Sequence, residues 1–306
     1  MPKNLMTEAE LEDLVACYIN VEGYTDFRSI YSVMKQEYPG EFDHAMAMQV
    51  IRNVLKEESY SYCNNYLGVV NILEKYLFGK NPNNVLQERY EQMRSYYEDG
   101  YQPPYKCVGY NIISGHNKND RELNDALLEV PVSDFSGLVN QFGSYFNLGH
   151  DLPFWIEPKD PKGHIMLVSQ DPLRARQKQG IITLSTPFGM HSPAYRNSGH
   201  HRTFTQIVES LVQQGYSVYL TDCHKLFGTI NNKSGIQISS DADILREEIW
   251  FFSPCKVFAL GRKAESVLNK LQQNPVYVPH PTGARLKTGI GGKVSYFVRA
   301  IISAMP

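Results

Sequence analysis

The chain has no stretch of about eighteen consecutive apolar residues, so no transmembrane helix is expected. Its first residues, MPKNLMTEAELEDLV, are acidic and lack an apolar segment, so no signal peptide is expected. Cysteine is sparse and odd in number: Cys17, Cys63, Cys107, Cys223 and Cys255 are widely spaced, with no CxxC or CxxH pair. This disfavours a disulfide framework, a zinc ribbon and an iron–sulfur pattern, and makes a reduced, cytoplasmic protein the default. GxGxxG is missing, so a dinucleotide cofactor is poorly supported. Neither charge sign is in large excess. The net charge is −2, so any nucleic-acid surface is local rather than global. Internal repeats and low-complexity tracts are absent. What remains is 306 residues, 42% hydrophobic and 20% charged, an ordinary globular composition with room for a large domain and an appendage.

Charge divides along the chain. Residues 1–60 hold eleven Asp/Glu against five Lys/Arg, whereas residues 256–299 hold eight Lys/Arg against the single acid Glu265. Any polyanion surface is therefore expected in the C-terminal half, although a single Lys or Arg is more often solvated surface. The first hundred residues read as helices. Thr7 and Glu10 form a capping-box pattern ahead of Leu11, Leu14, Val15 and Tyr18 at helical spacing. Further helices are expected near 26–36, 43–57, 63–78 and 84–98, ending at the break Asp99-Gly100-Tyr101-Gln102-Pro103-Pro104. The many tyrosines here can stack on bases, but at helical spacing core positions are favoured. This predicts a helical accessory domain over 1–105 and a second domain over 106–306.

Beyond residue 130, short apolar runs alternate with amphipathic segments. Strands are expected at 164–168, 216–220, 256–260 and 276–278, separated by helices at about 203–213, 241–252 and 262–273. Alternating strands and helices predict βαβ units and a parallel sheet. Sites in such sheets lie beyond the carboxyl ends of the strands. Asp171, Asp222, Gly261 and His280 each follow one. Taken singly, each has a plain alternative. Asp171 before Pro172 fits a turn, and Asp222 fits a cap. Gly261 fits a tight turn at a helix start, and His280 between two prolines fits a buried structural histidine. His191, His200 and His201 lack Cys or acidic partners at ligand spacing, so no metal site is expected.

Together and in order, these segments resemble the uracil-DNA glycosylase superfamily. The resemblance covers residues 130–300 and rests on Gln170-Asp-Pro172, Gly180-Ile-Ile-Thr183, the strand-end Asp222, Glu247-Glu-Ile-Trp-Phe-Phe-Ser-Pro254 leading into Val257-Phe-Ala-Leu-Gly261, and His280-Pro-Thr282. It implies a three-layer α/β/α sandwich with a parallel four-stranded sheet, added to the N-terminal all-helical domain. It also implies a nucleotide flipped out of double-stranded DNA and hydrolysis of its N-glycosidic bond, without cofactor or metal. By position, Asp171 matches the acid that orients water and stabilises the oxocarbenium-like sugar. His280 matches the group that hydrogen-bonds the departing base O2, and the backbone of Gln170 helps hold that oxygen. Ala284 or Arg285 falls where the family inserts a wedge. Thr282, Arg174, Arg176 and Lys287 are candidates for phosphate or DNA contact.

Three departures concern the base. Asp222 stands where uracil-specific members have Asn. An ionised Asp only accepts hydrogen bonds, so it repels uracil O4 and suits the N4 amino group of cytosine. If burial raises its pKa, the neutral form can also donate toward N3. Leu173 replaces the Tyr that blocks bulk at C5, and Thr183 replaces the stacking Phe. The following Arg174-Ala-Arg-Gln-Lys178 brings polar and basic groups toward C5. These changes point to excision of a C5-modified cytosine, hydroxymethylated or glucosylated as in phage DNA, and so to antiviral defence. The alternatives are a repair glycosylase for uracil or another damaged base, and a non-catalytic DNA-binding module on the same fold. Loss of the stacking ring favours the last, and retention of Asp171 and His280 opposes it.

Overall fold

A computed structural model describes residues 5–20, 27–44, 46–48, 50–51, 54, 61–62, 66–79, 84–98, 128–173, 178–196, 199–230, 233–234, 236–281 and 290–305. The chain forms two compact units, Met1–Ser61 and Tyr62–Pro306.

The first unit is helical. Helix α1 (Glu8–Asn20) begins at the expected capping box. The Thr7 N–H donates to the Glu10 carboxylate at 2.8 Å, and the Glu10 N–H donates back to Thr7 Oγ1 at 3.3 Å. Helix α2 (Phe27–Glu37) follows, and Asp43 then accepts the Met46 N–H at the start of further helical turns. Ala47, Val50, Ile51 and Val54 repeat at helical spacing and close a core with Leu11, Val15, Tyr18, Ile30, Met34 and Phe42. Tyr18 is buried with its hydroxyl on Glu37, in keeping with the core role favoured for these rings.

The second unit contains, in order, β1 (Ser61–Tyr62, at the unit boundary), α3 (Tyr66–Leu73, continued by a π-helical turn Glu74–Phe78), α4 (Val85–Glu98), β2 (Leu128–Pro131), α5 (Val139–Phe142), β3 (Phe146–Asp151), β4 (Phe154–Glu157), β5 (Gly163–Ser169) and β6 (Ile181–Ser185). After these come α6 (Pro193–Arg196), α7 (Gly199–Gln213), β7 (Tyr216–Asp222), β8 (Phe227–Ile230), β9 (Lys233–Ser234), α8 (Asp241–Phe252), β10 (Lys256–Leu260), α9 (Arg262–Lys270), β11 (Val276–Val278) and α10 (Ile290–Ile302). The architecture is mixed α/β.

The four expected strands form β7, β5, β10 and β11, paired in parallel in that order. The sheet that contains them is not a purely parallel four-stranded one. It has six strands, with β4 antiparallel to β7 and β1 outside β4. A second, five-stranded mixed sheet runs β2-β6-β3-β8-β9, with only β3 and β6 parallel. Its strands are short, and several carry polar residues such as Asn147, His150 and Thr229, which weakens their apolar pattern.

The domain boundary also differs from the expected one. Helices α3 and α4 belong to the second unit rather than to a 1–105 domain. Val69, Val70, Leu73, Leu86, Tyr90 and Met93 share one core with Met166, Val168, Ile244, Leu245, Ala259 and Leu268. The Tyr90 hydroxyl donates to the Pro153 carbonyl at 3.0 Å. Helical pattern shows that a segment is a helix; which core takes its apolar stripe is set by tertiary packing. The expected break at 99–104 lies outside the described residues.

Candidate active site

Strands β5 and β7 are the central parallel pair, in register from Gly163/Tyr216 to Ser169/Asp222. Their carboxyl ends release adjacent turns that carry Asp171 and Asp222. The turns are stitched together: the Cys223 N–H donates to the Ser169 carbonyl at 2.9 Å, and the His224 N–H donates to the Gln170 carbonyl at 2.9 Å. The Gln170 side-chain amide donates to Asp171 Oδ2, holding that carboxylate. The Leu173 N–H closes a tight turn onto the Asp171 carbonyl, which Pro172 favours.

Asp222 is buried, 2% exposed. Ser169 Oγ donates to its Oδ1, while its Oδ2 is buried with no hydrogen-bond partner. Burial raises the Asp222 pKa well above the usual carboxylate range. Asp151, at the end of β3, pushes the same way, and the Ser169 hydrogen bond and the Lys225 ammonium oppose it. The group therefore tends toward the neutral acid. The adjoining Cys223 thiol is raised to about 12, again chiefly by burial, which leaves it unreactive.

The loop after β7 is braced from below. Lys225 is 1% exposed, and its ammonium donates to Glu248 Oε2 at 2.6 Å and to Thr221 Oγ1 at 2.7 Å. Thr221 donates in turn to Glu248. The Lys225 N–H donates to Asp241 Oδ1 at 2.9 Å, and its carbonyl lies 2.6 Å from His150 Nδ1. Asp241 and Asp243 stand in the first turn of α8, where acids favour the helix dipole. Sheet, helix and second sheet thus hold the turn beside Asp222.

His280 follows β11 by two residues, and its Cβ lies 3.6 Å from where a Cβ on Gly261, just before α9, would sit. Burial lowers its pKa, while the Asp171 carboxylate acts in the opposite direction. Neutral imidazole is therefore the main form at neutral pH. Phe188 lies against it, with ring centroids 5.5 Å apart and 35° between planes, and stacks on Phe204 at 3.7 Å and 24°. Phe188 has φ 57° and ψ 16°, a left-handed backbone that is unusual for a bulky residue and costs on the order of 1–3 kcal/mol.

A cleft of about 330 Å³ opens beside Asp171, lined by Gln170, Asp171, His224, Leu226, Ile236, Gln237 and Lys263. That volume suits a small organic group. Its wall mixes a carboxylate, two amides, an imidazole and an ammonium with two aliphatic side chains. Nδ1 of His224 is 3.1 Å from Asp241 Oδ2, which orients the ring.

The structure thus brings Asp171, Asp222 and His280 within electrostatic reach at one end of the parallel strands, with Gln170 beside them. Asp222, Leu173 and His280 do not line the cleft. Thr183, expected at the base, does not line the cleft: it is buried within β6, opposite Glu129 and Gly149 in the second sheet. The β-branched run Ile181-Ile-Thr183 carries the sequence signal for that strand. Lys178, expected near C5, pairs with Glu129 of β2. Arg174, Arg176, Thr282, Ala284, Arg285 and Lys287 lie outside the described residues. Among the histidines, His191 is buried with Nδ1 2.9 Å from Thr186 Oγ1, and His201 Nδ1 is 2.9 Å from the Phe188 carbonyl. No group of three or more potential metal ligands occurs among the described residues.

Sequence reasoning missed Phe188, the cleft residues His224, Gln237 and Lys263, and the Lys225–Glu248 pair. Glu248 left a signal, because it falls on the buried stripe of α8 with Asp241, Ile244, Leu245 and Phe252. A carboxylate on such a stripe calls for a buried cation. No protein-family model matches the chain, and no curated protein matches it.

Proposed function

We propose that this protein is a DNA glycosylase of the uracil-DNA glycosylase superfamily, built on a three-layer α/β/α core, and that it excises a C5-modified cytosine from double-stranded DNA. The observation that carries this is the convergence of Asp171, His280 and the buried Asp222 at the carboxyl ends of β5, β11 and β7. Asp171 is held by Gln170 and borders the cleft, where it can orient water at the sugar C1′ and offset positive charge as the glycosidic bond breaks. Neutral His280 donates a hydrogen bond to the base O2 as negative charge develops there. Asp222, tending toward the neutral acid, carries both a donor and an acceptor, a pattern that suits cytosine N3 and the N4 amino group; because its carboxyl is buried and outside the cleft, reading a base requires the turn after β7 to open. The polar cleft beyond Asp171 gives room for a hydroxymethyl or hexosyl substituent.

A reduced cytoplasmic setting and defence against phage DNA with modified cytosine fit this activity. The test uses purified protein on matched duplexes containing uracil, cytosine, 5-hydroxymethylcytosine or its glucosylated form, with alkaline cleavage of abasic sites as readout. Cleavage confined to modified cytosines is expected. Cleavage at uracil alone would turn the assignment to repair. Binding without cleavage on every duplex would favour a DNA-binding module.

A further inference from the structure

We propose that Phe188 is a positioning residue for His280: clamped on Phe204, its ring sets the plane of the imidazole and shields it from water. The loop after β6 is built to hold this ring. Phe188 keeps a left-handed backbone, and Gly189 follows at φ +64°, where an added Cβ would lie 2.4 Å from the Tyr195 ring. Thr186 anchors the loop from one side, accepting the His191 N–H at 3.1 Å. From the other side, His201 on α7 faces the Phe188 carbonyl. A bulky side chain persists in this backbone only when its surroundings over-determine it, and such residues cluster at functional sites.

The partner of the ring identifies its use. One face of Phe188 is covered by Phe204, and its other aromatic neighbour is His280. Neither Phe188 nor His280 lines the cleft, and the contact of the Phe188 ring is with the imidazole, so Phe188 acts through His280. Among the described residues, Asp171, from the turn after β5, is a charged group that acts on His280. Phe188, Phe204 on α7 and Gly261 before α9 bring no titrating side chain to it. Burial is the larger influence on the imidazole, and the Phe188 ring supplies part of that burial.

The test is the titration of the His280 ring by NMR, assigned with His280→Gln, in the wild-type protein and in Phe188→Leu, Phe188→Met and Phe188→Tyr. Leu and Met keep apolar bulk without a flat face, and two such variants guard against one failing to fold. They are expected to raise the His280 pKa by about half a unit or more as water reaches the ring. Tyr, which restores the flat face, is expected to return it toward wild type. Unchanged titration in folded Leu or Met variants would overturn the proposal and leave Phe188 as packing alone. For its rate measurement the proposal rests on the glycosylase assignment: the acid limb of the pH–rate profile should move to higher pH in the same two variants. The NMR result stands even if no base is excised, so failure of the positioning role and failure of the assigned activity are distinguishable.

Discussion

The turns after β5 and β7 end neighbouring strands in register, yet they treat their carboxylates in opposite ways. Asp171 is half-buried, borders an open cleft and is held by a side-chain amide. Asp222 is sealed off, with one oxygen on Ser169, the other unpartnered, and a pKa pushed upward by burial and by Asp151. One end of the sheet can therefore carry two acids suited to different work, because solvent access and hydrogen bonding set the proton and residue type does not. The contrast lies in support as well as charge. Beneath Asp222 is a buried Lys225–Glu248 pair, whereas Asp171 rests on a Pro-containing turn.

The largest expected effect tests the exposed side of that contrast. Asp171→Asn should lower single-turnover excision by about 100- to 10,000-fold while leaving duplex affinity within a fewfold, measured by quenched-flow cleavage and fluorescence anisotropy. It should also lower the His280 pKa further, since an attractive negative charge is lost. Full activity in this variant would remove Asp171 from the chemistry.

Support under the buried acid comes next. Lys225→Met leaves Glu248 buried without its cation and should cost about 3–5 kcal/mol, read from denaturant midpoints; the double change with Glu248→Met should recover much of it. A loss of under about 1 kcal/mol would mean that the pair is not holding the turn.

Asp222 itself gives a smaller effect on stability and a qualitative one on specificity. Its folded pKa lies above the unfolded value, so wild-type stability is fullest below the ordinary carboxylate range near 3.9 and falls as pH rises toward the folded value. Asp222→Asn lacks this loss. Its melting temperature should gain on wild type as pH rises above the ordinary carboxylate range, and its base preference should move toward uracil. A pH-independent difference would mean that Asp222 is ionised in the folded protein throughout. The mildest change is Asp151→Asn, which removes a like charge and should narrow the pH span of that stability loss; an unchanged span would exclude Asp151 from tuning Asp222.

Local signals carried much of this molecule. Strands β10 and β11 and helix α8 match their expected limits, because short apolar runs bounded by turn residues and a clear helical stripe act within a few residues. The capping box at Thr7 and Glu10 works for the same reason. The strand-end positions of Asp171, Asp222 and His280 were equally legible, since a parallel βαβ pattern says which end of each strand faces the site. The second sheet was not. Its strands are short, and their pairings join Glu129 to Thr183 and Gly149 to Phe227 across long stretches of chain. Nor was Phe188 legible, because its importance lies in an imidazole 92 positions further along the chain.

By itself, then, the sequence determined the helical start of the chain, the four parallel strands and the acids and histidine at their ends. Each depends on periodicity or on residues adjacent in the chain. Tertiary structure alone decided where the units divide, that α3 and α4 join the second core, which strands Thr183 pairs with, and how each acid holds its proton. Those outcomes depend on which distant surface covers a side chain, and burial and electrostatic reach are properties of the assembled fold.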